Sequence, residues 1–235
     1  MFNINVGSRY CSLGFHSRRR LLSLLAGIAL LFSVPLTVSA GAFEDFFRAA
    51  KMDDAGQIAA LLKRGLDPNL IEPERGDTGL ILALREGSMN VFDVLINARG
   101  TDIEIKARNG DTALMIAAYK GNRRAVEVLL AKEAQINRPG WTALHYAAAG
   151  GHDEIVQLLL DKYAYIDAES PNKTTPIMMA ARSGHIYTVK ILLDQGADAT
   201  LKNDVGMTAI DFARSVDRQD IAEGLTYQLK KAGKL

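Results

Sequence analysis

Residues 142–148 read Thr-Ala-Leu-His-Tyr-Ala-Ala, and this pattern decides the fold because the chain repeats it. Close copies stand at residues 112–118 and 175–181, and weaker copies begin at Thr78 and Thr208. Successive threonines at the heads of these copies are 34, 30, 33 and 33 residues apart. A period of this length is typical of stacked structural repeats, in which each unit packs only against its neighbours.

Each copy contains the signals of two short helices. The threonine is a good N-cap for the first helix, and a glycine nine residues later can end that helix with a positive φ. An apolar run then marks the second helix, and turn residues such as Asn109-Gly110 lead back to the next threonine. We therefore predict an all-α solenoid of stacked helix-turn-helix units with short return loops like β-hairpins.

These units resemble ankyrin repeats. The family's motifs are Thr-Pro-Leu-His at the head, Ala-Ala in the first helix, Gly-His before the second helix and Gly-Ala-Asp after it. Residues 140–152 and 196–198 match them closely, and the resemblance covers nearly all of residues 43–230. It implies a non-catalytic module that binds another protein through a concave face and the tips of its loops. Small exported bacterial ankyrin-repeat proteins, which this chain resembles, imply an alternative: an inhibitor or immunity protein for an envelope toxin or enzyme.

The ends of the repeat array predict capping units. Residues 41–76 lack the threonine head and carry Asp53 where the glycine of a full unit stands. Residues 77–206 contain four repeats, and residues 207–235 form a C-terminal capping repeat with Asp217 at the glycine position. Such caps are expected because every internal unit buries both of its sides.

The first forty residues have the composition of an export signal. Arginines at 18–20 precede an apolar run at 21–36, and Val38-Ser39-Ala40 follow, which predicts cleavage after Ala40. Retention as an N-terminal anchor is the alternative. The arginines also fit the twin-arginine route, but the strongly apolar run favours the general secretory route. We expect a periplasmic or secreted protein with no membrane span after cleavage.

Cleavage would change the charge of the protein. The full chain carries a net charge of +1, and the signal holds four arginines and no acidic residue. The remainder has 24 basic and 27 acidic residues, a net charge of −3. The single cysteine, Cys11, lies in the signal as well, so no disulfide is expected. This balance of charge predicts no nucleic-acid partner.

The sequence lacks recognised catalytic motifs. We find no phosphate loop, dinucleotide fingerprint or nucleophile elbow, so we predict that the protein is not an enzyme and needs no cofactor or metal. Repeat positions account for His145, His152 and His185. Acidic pairs such as Glu72 with Glu74 are expected to be solvated. The alternatives are an enzyme that uses loop carboxylates or histidines, and a self-associating scaffold.

The variable positions of the concave face are the predicted binding site. This face is formed by the turn before each threonine and by the last exposed turn of each first helix. Arginine, tyrosine and tryptophan most often dominate the energy of an interface. The candidate residues are Arg85, Arg108, Tyr119, Lys120, Arg138, Trp141 and Arg182. Their positive charge predicts a partner with an acidic surface, and a packing role is the alternative for Trp141.

Two further expectations concern packing and loop length. The residues four positions after the threonines are assigned to the core because their spacing is regular: Leu82, Ile116, Tyr146, Met179 and Phe212.

The 30-residue step leaves only residues 138–140 for the return loop before Trp141. We therefore predict a shortened loop and a notch beside Trp141, although a change in loop length without function is an equal alternative.

Overall fold

The computed structural model of the protein describes residues 40–235, which form six pairs of helices. These are α1 (Ala40–Lys51), α2 (Ala55–Lys63), α3 (Gly79–Glu86), α4 (Met89–Ile96), α5 (Ala113–Tyr119), α6 (Arg123–Ala131), α7 (Ala143–Gly150), α8 (Asp153–Asp161), α9 (Pro176–Ser183), α10 (Ile186–Asp194), α11 (Ala209–Arg214) and α12 (Gln219–Lys231). Within this range the only β-pairing is an isolated antiparallel bridge between Ile71 and Thr78. The all-α solenoid is confirmed. The predicted signal lies outside the described residues except for Ala40, which begins α1.

The helices form two rows. The odd-numbered helices, which we call the inner row, stack on one another more closely than the even-numbered helices of the outer row. Paired alanines in the middle of the inner helices are fully buried: Ala117, Ala118, Ala147, Ala148, Ala180 and Ala181. Small side chains allow this close approach, and the closer spacing of the inner row agrees with a concave face on that side.

A threonine begins each full inner helix, as predicted. The N-caps are Thr78, Thr112, Thr142, Thr175 and Thr208. The hydroxyl of Thr78 accepts a hydrogen bond from the backbone N–H of Ile81 at 3.2 Å. This bond satisfies a donor that the first turn of a helix otherwise leaves unpaired. We number the units 1 to 4 from Thr78, Thr112, Thr142 and Thr175, and the C-terminal unit begins at Thr208.

The glycines that end the inner helices have a positive φ, and in units 2 to 4 a side chain of the next unit also occupies the space that a Cβ atom would need. Their φ angles lie between +70° and +81° at Gly87, Gly121, Gly151 and Gly184. A Cβ atom on Gly151 would lie 2.4 Å from the ring of His185. Nε2 of His185 is 3.1 Å from the carbonyl oxygen of Ala149, and Nε2 of His152 is 2.8 Å from that of Tyr119. These two histidines therefore link successive units, which accounts for their position in the repeat.

Aspartates replace the glycine in both capping units and keep its conformation. Asp53 has a φ of +57° and Asp217 a φ of +58°. The carboxylate of Asp53 accepts hydrogen bonds from the side-chain amide of Asn90 at 2.7 Å and from the backbone N–H of Val91 at 2.9 Å. Asp53 thus attaches the N-terminal capping unit to the outer helix of unit 1, which offsets the cost of a positive φ in a residue with a side chain.

Backbone hydrogen bonds join the return loops of neighbouring units, and we call this series the loop ladder. The N–H of Arg108 donates to the carbonyl of Arg75 at 2.9 Å, which joins the loops before units 1 and 2. The N–H of Asp204 donates to the carbonyl of Asn172 at 3.1 Å, which joins the loops before unit 4 and the C-terminal unit. Each donor stands four residues before the threonine of its own unit, and each acceptor stands three residues before the threonine of the preceding unit.

The loop ladder is interrupted at unit 3. Among the described residues, no backbone hydrogen bond joins the loop at 138–140 to either neighbouring loop. The donor position of the next loop is occupied by Pro171, which has no N–H to donate. The interruption therefore lies where the sequence predicts a shortened loop.

Candidate functional site

The concave face changes from polar to aromatic between unit 1 and unit 3. In unit 1, the residue seven positions after the threonine is Arg85, whose guanidinium lies 2.7 Å from the carboxylate of Asp111. Asp111 stands directly before the next threonine. The equivalent pair one unit further along is Tyr119 and Trp141, which line the same cleft. Two aromatic side chains thus replace an ion pair at equivalent positions.

This aromatic cleft has a volume of about 190 Å³ and is open to solvent. It is lined by Tyr119, Trp141, His145, Tyr146, Ala149 and Met179. Trp141 packs edge to face against His145, with ring centroids 5.2 Å apart, and Tyr119 packs edge to face against Tyr146 at 6.2 Å. The two predicted aromatic residues, Tyr119 and Trp141, are therefore brought together by the fold.

The small side chain of Ala149 leaves this cleft open. Ala149 stands seven residues after Thr142, at the position that holds Arg85, Tyr119 and Arg182 in the other units. Each of those residues has a long side chain, and unit 3 alone among the four repeats has alanine there. Ala149 is not among the residues predicted for the site, although a comparison of equivalent positions between units singles it out.

Two residues that were assigned to the core line the cleft, although Tyr146 also packs against the core. Tyr146 and Met179 are only partly buried, whereas Leu82, Ile116 and Phe212 are buried as predicted. The hydroxyl of Tyr146 donates a hydrogen bond to Asp111. Burial and this hydrogen bond raise the pKa of Tyr146, so the phenol stays neutral. Regular spacing alone did not show that Tyr146 of unit 3 and Met179 of unit 4 extend beyond the packed interior.

Arg85 differs from the expectation of an exposed binding residue. Its Nε is 2.9 Å from the carboxylate of Asp77, and a terminal nitrogen is 2.7 Å from Asp111. The side chains of Asp77 and Asp111 are 0% and 4% exposed. Although partial burial lowers the pKa of Arg85, hydrogen bonds and the charges of both aspartates raise it above the ordinary value. Arg85 therefore stabilises two buried carboxylates within the domain.

Arg138 and Arg108 also use their charges within the domain. The side chain of Arg138 is only 9% exposed, and one of its terminal nitrogens lies 3.8 Å from the carboxylate of Glu104. The exposed guanidinium of Arg108 donates to the carbonyl oxygens of Glu74 at 3.0 Å and Pro73 at 2.7 Å. Arg138 thus lies inside the stack of loops, and Arg108 holds the preceding loop.

Lys120 and Arg182 are the predicted cations that remain available to a partner. Both are exposed, and neither forms an ion pair within residues 40–235. Lys120 directly follows Tyr119, on the unit 2 side of the cleft. Arg182 is three residues after Met179 on α9, so both side chains lie on the same helix face, on the unit 4 side. The aromatic cleft therefore has one cation on each side along the solenoid.

His145 forms the inner wall of the cleft and is held in one neutral form. Its Nδ1 accepts a hydrogen bond from the backbone N–H of Thr142 at 3.2 Å, and its Nε2 is 2.9 Å from the carbonyl oxygen of Thr174. The carbonyl requires a proton on Nε2. Burial lowers the pKa of His145 to about 4. His145 thus links the inner helix of unit 3 to the loop before unit 4, which accounts for its position in the repeat.

The burial of His145 predicts that the domain is sensitive to acid. An unfolded histidine has a pKa of about 6.5, so the unfolded chain gains a proton between this value and about 4 while the folded protein does not. Stability should therefore fall as the pH decreases through this window. Urea unfolding should show that the free energy of unfolding falls between pH 7.5 and pH 4.5 by about 2 kcal/mol more in the wild type than in His145→Gln. Equal losses in the two proteins would contradict the buried neutral imidazole.

Glu72 is buried rather than solvated. Its carboxylate accepts hydrogen bonds from the backbone N–H groups of Glu74 at 2.7 Å, Arg75 at 2.6 Å and Asp77 at 3.2 Å. These bonds close the first return loop around the side chain. The prediction that Glu72 is solvated is therefore wrong. Its burial is tolerated because three backbone N–H groups replace the hydrogen bonds of water.

Comparison with known proteins agrees with this architecture. Three copies of a family model for ankyrin repeats match residues 46–139, 80–170 and 166–232. The human SH3 and multiple ankyrin repeat domains protein 2 is 34% identical over 177 residues, which cover 73% of this chain and 10% of that protein. Protein HOS4 of Saccharomyces cerevisiae is 46% identical over 44 residues, or 19% of this chain and 4% of that protein. The chain thus spans a tenth or less of the length of these relatives. The match extends from the first capping unit to the last, and the chain belongs to the ankyrin-repeat family.

Proposed function

We propose that this protein is a non-catalytic module that binds a partner protein through its concave face. Ankyrin repeats generally serve in protein–protein interaction, and their stacked units offer an extended rigid surface for it. The observation that carries the proposal is the aromatic cleft of unit 3, with Lys120 and Arg182 on its two sides. Aromatic side chains in a partly open cleft are typical anchors of an interface.

The same charges support a partner with an acidic surface. Lys120 and Arg182 have no ion-pair partner within residues 40–235, so a carboxylate of another protein would compensate them. Three of the loop carboxylates that the enzyme alternative could use are already engaged, since Glu72, Asp77 and Asp111 all hold structural contacts. This engagement supports a binding role over a catalytic one.

We further propose that the protein acts in the bacterial envelope, after export by the signal at residues 1–40. None of the helices that the structure describes is both long and apolar enough to cross a bilayer. The protein recovered from its own cells should be found in the envelope fraction and should begin at Gly41 on N-terminal sequencing. Recovery in the cytoplasm with Met1 intact would contradict export.

The route of export has a separate test. Replacing Arg18 and Arg19 together with lysine should leave export unchanged if the general secretory route is used, because that route requires only positive charge. The twin-arginine route requires the arginines themselves, so a block in export would assign the protein to it.

Binding through the cleft should be sensitive to its aromatic residues. We expect Trp141→Ala or Tyr119→Ala to weaken capture of the partner from envelope extract by about 2 kcal/mol or more, because each removes a large anchor from the interface. Affinity for the captured and identified partner would be measured by calorimetry. Tyr187→Ala is the control, since Tyr187 is 73% exposed and lies on the outer row.

The identity of the captured protein separates the remaining possibilities. A toxin or enzyme whose activity falls on binding would support the role of inhibitor or immunity protein. Normal binding by Trp141→Ala and Tyr119→Ala would place the interface elsewhere, with the loop tips near Glu74 and Asn172 as the next candidates. Recovery of the protein's own chain alone would indicate a self-associating scaffold instead.

A further inference from the structure

We propose that the aromatic cleft binds a single aromatic side chain of the partner, carried on an extended acidic segment. The inference rests on the proposed binding function and specifies the chemistry of the segment that enters the site. It concerns three properties of the cleft: its size, its lining and the position of the charges beside it.

The size and lining of the cleft fit one aromatic ring. Its volume is about 190 Å³. An apolar protein cavity of about 150 Å³ is large enough to bind benzene. The walls are formed by the rings of Tyr119, Trp141 and Tyr146 and by the thioether of Met179. Such walls favour edge-to-face contacts and sulfur–aromatic contacts with an inserted ring.

The charges near the cleft disfavour a cation in it. Aromatic walls can also bind an ammonium or guanidinium group, but no carboxylate lines this cleft. Asp111 contacts one lining residue, since it accepts a hydrogen bond from Tyr146, but its charge is paired with Arg85 and it accepts a further bond from the side chain of Asn109. The exposed charges at the two sides are Lys120 and Arg182, which would repel a cation and attract carboxylates.

The separation of these two cations sets the length of the segment. Lys120 belongs to unit 2 and Arg182 to unit 4, with the cleft at unit 3 between them. Packed helices lie about 8 to 10 Å apart, so two steps of the inner row span about 20 Å. An extended chain covers this distance with about six residues. The segment is therefore expected to carry acidic residues about three positions before and after the aromatic residue.

The direct test is a peptide titration monitored by the fluorescence of Trp141, the only tryptophan of the chain. The probe is a capped heptapeptide with phenylalanine at its centre and glutamate at its other positions. We expect a saturable change in emission with the purified protein. A peptide with alanine at the centre should bind about tenfold more weakly or worse, because it buries no ring. A peptide with lysine in place of glutamate should bind more weakly again, and added salt should weaken the glutamate peptide.

A variant that fills the cleft provides the matched test. Ala149→Tyr introduces the residue that unit 2 carries at the equivalent position, Tyr119, so the repeat is known to accommodate it. We expect Ala149→Tyr to lower the affinity for the phenylalanine peptide about tenfold or more, whereas Ala149→Ser should retain it. Replacing Lys120 and Arg182 together with glutamine should remove most of the salt dependence and leave the preference for phenylalanine over alanine. Circular dichroism and urea unfolding establish that each variant is folded.

The outcomes separate this inference from the broader function. Equal binding of the phenylalanine and alanine peptides, no response of Trp141, or normal binding by a folded Ala149→Tyr protein would each overturn the inference. A preference for the lysine peptide would overturn the claim that the bound segment is acidic. A change in Trp141 emission on dilution without peptide would show that a second copy of the chain occupies the cleft, and would overturn it as well. A partner captured equally by wild type and Ala149→Tyr would leave the proposed function standing and refute only the site.

Discussion

Arg85→Ala should lower the free energy of unfolding by about 3 to 5 kcal/mol, the cost typical of breaking a buried ion pair. The guanidinium lies between Asp77 and Asp111, whose side chains are 0% and 4% exposed. Without it, two carboxylates remain close together in a region that water scarcely reaches. One oxygen of Asp77 already has no hydrogen-bond partner. The contacts that remain are Arg75, 3.4 Å from Asp77, and the hydrogen bonds that Tyr146 and Asn109 donate to Asp111, so one cation is left for two buried carboxylates. Urea unfolding at neutral pH measures the loss.

Arg182→Ala is the matched control for Arg85→Ala. Arg182 stands at the same position of its unit, but it is exposed and forms no ion pair within the described residues. Its replacement should change the stability by about 0.5 kcal/mol or less. Similar losses in the two variants would mean that the position, rather than the two aspartates, determines the effect of Arg85.

Leu159→Ala should destabilise the domain by about 2 to 5 kcal/mol, because it removes a buried side chain and leaves a cavity. Leu159 lies in α8, the outer helix of unit 3, and is fully buried. A solenoid derives its stability from contacts between neighbouring units, so a loss in a central unit affects both of its interfaces. Thermal and chemical unfolding of the variant test this expectation.

Glu86→Ala serves as the control for Leu159→Ala. Glu86 is exposed at the end of α3, and its carboxylate is 3.7 Å from the guanidinium of Arg75. An exposed ion pair contributes at most about 1 kcal/mol, so the variant should be nearly as stable as the wild type. A loss at Glu86 as large as that at Leu159 would contradict the assignment of buried and exposed sides.

The sequence predicts most of the fold because local rules determine it. Thr142 and its equivalents begin helices through the chemistry of the N-cap, and Gly151 and its equivalents end them through a positive φ. Even the departures in the capping units follow this logic, since Asp53 and Asp217 adopt the conformation of the glycine that they replace. These features depend on a few neighbouring residues and can therefore be predicted from the amino-acid sequence alone.

The site is less predictable because it depends on contacts between units. Sequence alone could not show that Arg85 pairs with Asp111, 26 residues away, or that Arg138 lies within the loops. An arginine at a variable position has the same appearance whether its partner belongs to the same chain or to another protein. Trp141 packs against His145 and also lines an open cleft, so its packing role is observed and its binding role stays a prediction.

The interrupted loop ladder has a consequence for motion at the cleft. The inner helices of units 2, 3 and 4 remain closely packed on one another, so the floor of the cleft is fixed. The loop at 138–140, which precedes Trp141, shares no backbone hydrogen bond with either neighbouring loop among the described residues. Segments with few such bonds open locally at little cost in free energy. The rim of the cleft is therefore held by side-chain contacts, those of Arg138 with Glu104 and of Trp141 with His145, and a shift of the rim toward an incoming side chain would disturb these contacts without breaking a bond of the loop ladder.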